Sequence, residues 1–169
     1  MPLNILVAYA TKKGSTHEVA DAIAEELRAR GAAVTTLAAA DVTDVTAYDG
    51  VVLGGSLYIG RWHPDARRLL ERQWSKLAGR PLAVFGLGPL TSGFEDLSAA
   101  RRQLDHALDR LSEVQPVTVA VFGGVIDPRK LPFPFNRMPA SDARDWEKVR
   151  GWARTVAATF AVAVAPRCG

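Results

Sequence analysis

The chain of 169 residues has a single cysteine, Cys168, one residue from its end. That excludes an intrachain disulfide, a thiolate-built zinc site and a Cys-x-x-Cys redox pair. Long apolar runs are lacking too: no stretch approaches the roughly 20 consecutive apolar residues that a membrane-spanning helix requires. The first strand pattern begins at Leu3, close behind Met1, which argues against a signal peptide. A cytoplasmic location is the expectation. Several nucleotide and phosphate chemistries lack their key residues. A Walker A loop needs Gly-Lys-Ser/Thr, and no lysine follows Gly14. The Gly-x-Gly-x-x-Gly of a dinucleotide loop is absent after the first strand pattern. A phosphotyrosine phosphatase would need a cysteine in that loop, and a receiver domain an aspartate where the third strand pattern ends in Gly54-Gly55-Ser56.

What is present describes an ordinary folded domain. Apolar residues make up 48% and charged residues 23% of the chain, enough for one α/β core of this length. The net charge is +3. Arg28, Arg30, Arg67, Arg68, Arg101 and Arg102 are interleaved with acids on helical faces, the pattern of solvated helices rather than of a clustered nucleic-acid footprint. A mild attraction to acidic partners or anionic lipid stays open.

Apolar runs and helical periodicities alternate along the chain. Strand patterns cover 3–9, 33–37, 51–55, 81–86 and 117–123. Helical spacing appears at Val19, Ile23 and Leu27, with Gly31 as the stop. It recurs at Ala66, Leu70, Trp74 and Leu77 behind Pro64, and at Leu97, Leu104, Leu108 and Leu111. The last helix carries Trp146, Val149, Ala153, Val156 and Phe160, with Asp142 and Asp145 favouring its start. A short helix is expected near Asp41–Val45, and a Pro-rich connector spans 127–139. Near-continuous Val/Leu/Ile strands predict a parallel sheet covered on both faces. The expectation is a three-layer α/β domain over 1–162, with a tail at 163–169. In a doubly wound sheet of order 2-1-3-4-5, ligands bind at the carboxyl ends of the strands, beside the switch point. The loops after Tyr9, Gly55 and Phe85 should therefore carry function.

The first of these loops, Thr11-Lys12-Lys13-Gly14-Ser15-Thr16, joins a strand to a helix. Free backbone N–H groups, the positive helix end and small hydroxylated side chains together suit a phosphate monoester. Ser15-x-x-Glu18 is at the same time the signature of a plain capping box, and both readings are compatible with the sequence.

Thr11-x-x-Gly14-x-Thr16 resembles the FMN-phosphate signature of flavodoxins, with Lys13 in place of its central threonine. Gly54-Gly-Ser-Leu-Tyr-Ile-Gly60 and Asp145-Trp146 resemble relatives of menaquinone-dependent protoporphyrinogen oxidase. The stretch 124–142 is much shorter than that oxidase's insertion between the fifth strand and the last helix. The chain is also basic, whereas shuttle flavodoxins are usually acidic. The resemblance implies a flavodoxin-like fold and FMN, with the phosphate on Thr11, Lys12, Lys13, Gly14, Ser15 and Thr16. It places the ring against Ser56, Leu57, Tyr58, Ile59, Gly60 and Trp62 on one side, and against Gly86, Leu87, Gly88 and Pro89 on the other. Tyr58 or Trp62 would stack, and the glycine-rich second loop would donate N–H groups.

Arg61 and His63 put positive charge near the ring. A cation about 6 Å away at an effective dielectric near 20 is worth roughly 3 kcal/mol, or about 120 mV for one electron, and less when solvated. The implied activity is electron transfer or an FMN-dependent oxidation, with a redox protein or quinone as partner and peripheral membrane contact open. No catalytic side chain is required, because the cofactor carries the chemistry. His63 reads equally as the cap of the helix that Pro64 opens. Lys13 and the missing second aromatic keep an alternative alive, a binding module that has lost the cofactor. Phe133-Pro-Phe135 would lid the flavin, pack on the sheet or contact a partner or membrane.

Overall fold

The computed structural model describes residues 2–11, 14–58, 61–88, 94–111, 114–130 and 132–165. In chain order these form β1 (Asn4–Ala10), α1 (Ser15–Ala29), β2 (Ala33–Ala38), β3 (Gly50–Tyr58), β4 (Arg61–Trp62), α2 (Pro64–Leu77) and β5 (Leu82–Leu87). They continue with α3 (Phe94–Asp109), β6 (Thr118–Phe122), β7 (Val125–Ile126), β8 (Ser141–Asp142) and α4 (Trp146–Val164). Among the described residues, β2-β1-β3-β5-β6 pair in parallel, which is the expected order once the long strands are counted among themselves. Two additions were not foreseen. β3 runs on past residue 55 to Tyr58 and folds back as a hairpin onto the two-residue β4, and β7 and β8 form a small antiparallel pair inside the connector.

Alternation along β1 explains the layers. Ile5 and Val7 face a core shared with α1 and α4, while Leu6, Ala8 and Ala10 face a second core shared with α2 and α3. Phe85 and Phe160 are fully buried in the first of these, each contributing about 1.5–3 kcal/mol by burial. Glycines make room for the rings. A Cβ on Gly54 would lie 1.9 Å from Phe85 Cζ, and one on Gly50 would lie 2.6 Å from Phe160 Cδ2.

Two sequence expectations give way here. Trp74 was expected to point inward and is 46% exposed; Gln73 is buried in its place. The inward stripe of α2 runs Ala66, Leu69, Leu70, Gln73, Leu77, and it rotates Trp74 out. Gln73 compensates its burial by accepting from the Val45 N–H at 3.3 Å and donating to the Thr43 carbonyl at 3.1 Å. Those bonds hold 42–45 extended, so the short helix expected at Asp41–Val45 is a single 3₁₀ turn at Ala39–Asp41. The last helix runs to Val164, two residues past the expected domain end at 162.

Candidate functional site

α1 begins at Ser15 behind Gly14, whose φ of 93° is a left-handed conformation that favours glycine. Glu18 is the first residue of α1 for which a backbone acceptor among the described residues is found, the Gly14 carbonyl at 3.4 Å. The N–H groups of Ser15, Thr16 and His17 precede it and have no acceptor within the helix. The Thr11 hydroxyl oxygen accepts from the Gly14 N–H at 2.8 Å, so that amide is used inside the loop. Thr16 is fully buried, and its hydroxyl oxygen has no hydrogen-bond partner. A buried hydroxyl without a partner costs about 1–3 kcal/mol unless something supplies one. Lys12 and Lys13 lie outside the described residues.

The capping box is not formed. Gly14 takes the cap position without a side-chain bond, and the Glu18 carboxylate is engaged by Arg144. Arg144 sits between β8 and α4 with its side chain 10% exposed. Its Nε and Nη2 donate to the two oxygens of Asp142 at 2.9 and 2.7 Å, Nη1 donates to Glu18, and the guanidinium lies 4.8 Å from the centre of the Trp146 ring. The bonds from Arg144 hold the Asp142 carboxyl below its ordinary range, and the bond to Asp142 raises the guanidinium in return. On the first turn of α1, His17 stacks on Tyr9 with ring centres 4.2 Å apart and pairs with Asp21 at 3.4 Å.

At the other end of the crevice, β3 and the residue following β5 converge. A Cβ on Gly88, whose φ is 128°, would lie 3.0 Å from the Leu57 carbonyl oxygen. Gly86 and Leu87 lie inside β5 rather than in the loop after it, and the absent Cβ of Gly86 leaves space for the Leu57 side chain. The Gly88 N–H donates to the Phe122 carbonyl at 2.8 Å, so the donation to a ring expected of it is already spent. Ser56 accepts the His63 N–H at 2.9 Å, which closes the β3–β4 hairpin.

Trp62 is 3% exposed among Ala66, Leu69 and Leu70, and its indole Nε1 lies 2.6 Å from the position of a Gly55 Cβ. It packs over Gly55 of β3, in the core shared with α2 and α3. Tyr58, at the end of β3, is 46% exposed. Ile59, Gly60 and Pro89 lie outside the described residues. His63 caps α2: its Nδ1 accepts from the Asp65 N–H at 3.1 Å. Phe133 is 71% exposed, with Arg137 over its ring at 5.2 Å, and does not pack on the sheet.

This arrangement, a helix start with a left-handed cap and an unpartnered buried hydroxyl beside two converging strand ends, coincides with a family match. The model of the flavodoxin domain matches residues 6–138. The chain belongs to the flavodoxin domain family. Comparison with curated proteins finds no match. Among solved structures, flavodoxin 2 of Bacillus cereus is 26% identical, with 93% of this chain and 99% of that one covered at a TM-score of 0.61. A short-chain flavodoxin associated with a bacterial microcompartment is 20% identical, covers 94% and 99%, and has a TM-score of 0.63. An oxidoreductase from Corynebacterium diphtheriae is 17% identical, covers 96% and 97%, and has a TM-score of 0.61.

Members of the flavodoxin family bind flavin, generally FMN. In this flavodoxin domain the residues at the start of α1 fit the phosphate end of that group: the Thr16 hydroxyl is unpartnered, and the first-turn amides of Ser15 and Thr16 have no acceptor among the described residues. Sequence reasoning missed Arg144. Its only signal was Asp142-x-Arg144, which reads as an ordinary helix-start cluster until the connector folds back onto α1. No helix among the described residues is long and apolar enough to cross a membrane, and none of their acids or histidines group as a metal site.

Proposed function

We propose that this flavodoxin domain binds FMN non-covalently and transfers electrons between a partner and the flavin, with a quinone as one class of acceptor. The observation that carries the reading is the buried, unpartnered Thr16 hydroxyl in the first turn of a helix whose cap is a left-handed glycine. The Thr16 hydroxyl and the Ser15 and Thr16 amides would hold the phosphate, the Thr11 hydroxyl would donate its own proton, and Lys12 and Lys13 would add charge. When bound, FMN supplies one- and two-electron transfer.

The chain's own part is to seat the group and tune it. Tyr58 would cover one face of the ring, and Leu57 with Gly88 would fix its edge. The stretch 86–93 carries no aromatic in its sequence, which would leave the second face accessible to a quinone-sized reactant. Arg61, exposed in β4, would favour the more negative, reduced form and raise the reduction potential, with solvent weakening the effect. Gly54–Gly60 and Asp145-Trp146 support a place near the relatives of menaquinone-dependent protoporphyrinogen oxidase within the family. The short connector argues against porphyrinogen itself as substrate. The single cysteine suits a reducing, cytoplasmic setting.

The test is a titration of purified apo-protein with FMN and with riboflavin, followed by quenching of flavin fluorescence. FMN should bind about a hundredfold more tightly, corresponding to ~2.7 kcal/mol from the phosphate. Quenching by neither flavin would refute the reading and leave a binding module that acts through protein contacts.

A further inference from the structure

The sequence offers a way to close the phosphate site with its own side chains. Ser15-x-x-Glu18 can form a capping box, in which Glu18 turns back and accepts the N–H of Ser15 while Ser15 accepts that of Glu18. A site closed in this way would present a carboxylate, rather than open amides, to an incoming phosphate. In the structure the box is open: Gly14 holds the cap position, the Glu18 N–H goes to the Gly14 carbonyl at 3.4 Å, and the Glu18 carboxylate is drawn to Arg144. Arg144 is well placed to hold it. Its guanidinium is fixed on one side by the two bonds to Asp142 and from above by Trp146, and its own N–H donates to Asp142 at 3.0 Å. The connector beneath it is anchored to the sheet end: Ala143 donates to the Gly124 carbonyl at 2.9 Å, and the Ala143 carbonyl oxygen lies where a Cβ on Gly123 would be, 2.2 Å from it.

We propose that Arg144 is a positioning residue that keeps Glu18 away from the start of α1, so that the amides of Ser15 and Thr16 stay open to a phosphate monoester. The proposal rests on the reading of this loop as an FMN-phosphate site, and it assigns the β7–β8 connector a role in ligand affinity. Arg144 acts through Glu18: it withdraws a competing anion and neutralises it, without itself touching the ligand. Its removal should therefore weaken binding only while Glu18 is an acid.

Four proteins decide the matter: wild type, Arg144→Gln, Glu18→Gln and the double variant, each titrated with FMN and with riboflavin. Arg144→Gln should bind FMN about tenfold more weakly, ~1.4 kcal/mol, with riboflavin unchanged. Glu18→Gln should bind FMN at least as tightly as wild type. The double variant should return to within about threefold of wild type. A double variant as weak as Arg144→Gln, an equal loss for riboflavin, or weakened FMN binding in Glu18→Gln would each overturn the proposal.

A second readout needs no flavin. In apo-protein, amide exchange at Ser15 should slow in Arg144→Gln and recover in the double variant; unchanged exchange would contradict the proposal. Should wild type bind no FMN, the functional reading fails, and the amide measurement alone still judges the role of Arg144.

Discussion

Replacing Thr16 by valine separates binding from folding. The hydroxyl is fully buried and has no partner, so the apo-protein carries an unsatisfied polar atom. Valine keeps the branched shape and removes that atom. With the desolvation cost of such a group at about 1–3 kcal/mol relieved, the apo-protein should gain about 1–3 kcal/mol. In the complex the same hydroxyl would donate to a charged phosphate, a bond worth about 1.5–3 kcal/mol, so FMN affinity should fall by about ten- to a hundredfold. Stability is measured by urea unfolding of apo-protein and affinity by fluorescence quenching. The two quantities should move in opposite directions. An apo-protein destabilised by more than about 1 kcal/mol would mean that the hydroxyl already has a structural partner, and unchanged FMN affinity would mean that the phosphate sits elsewhere; either result refutes the reasoning.

Further outcomes follow from the same geometry. Gly54→Ala pushes a methyl into the Phe85 ring and should cost about 3 kcal/mol or more, partly recovered by adding Phe85→Leu; a loss below about 1 kcal/mol by urea unfolding would contradict the packing. Acid should unfold the protein through depressed carboxylates. Bonds from the Thr46 hydroxyl and amide, with Lys76, lower Asp44 from 3.8 to about 2, and arginine partners lower Glu26, Asp127 and Asp142. Stability from groups lowered in the fold is complete above their ordinary values and is lost as pH falls through the lowered ones. The Asp44 share should therefore disappear between pH 3.8 and about 2, and the difference between wild type and Asp44→Asn should vanish across that window. A difference that instead vanishes above pH 5 would contradict the assignment. Arg61→Glu should lower the flavin's reduction potential by some tens of millivolts, an effect that shrinks with added salt; an unchanged or higher potential in redox titration would remove Arg61 from the tuning.

The five long β-strands and four helices were legible because each has apolar residues to bury, and Val52, Leu53 or Ile23 has few other places to go. Periodicity misjudged Trp74 because positions i+3 and i+4 both fit a helical stripe, and packing against the 42–45 segment selected Gln73. The helix start at Ser15 behind a left-handed Gly14 was legible from the glycine and its hydroxylated neighbours, since helix ends follow local rules. The β3–β4 hairpin was less so. Trp62 read as a candidate to stack on a ring because the fold-back of β3 onto β4, which buries it over Gly55, depends on hairpin pairing that no strand propensity signals. Arg144 was invisible for the same reason: its partner Glu18 lies 126 positions away.

The central claim is that a phosphate sits at the start of α1, and amide chemical shifts of ¹⁵N-labelled apo-protein report on that spot directly. Titration with FMN should displace the resonances of Ser15 and Thr16 strongly, whereas riboflavin should leave them nearly in place while moving Tyr58. Equal displacement of Ser15 and Thr16 by both flavins, or none by FMN, would contradict the account.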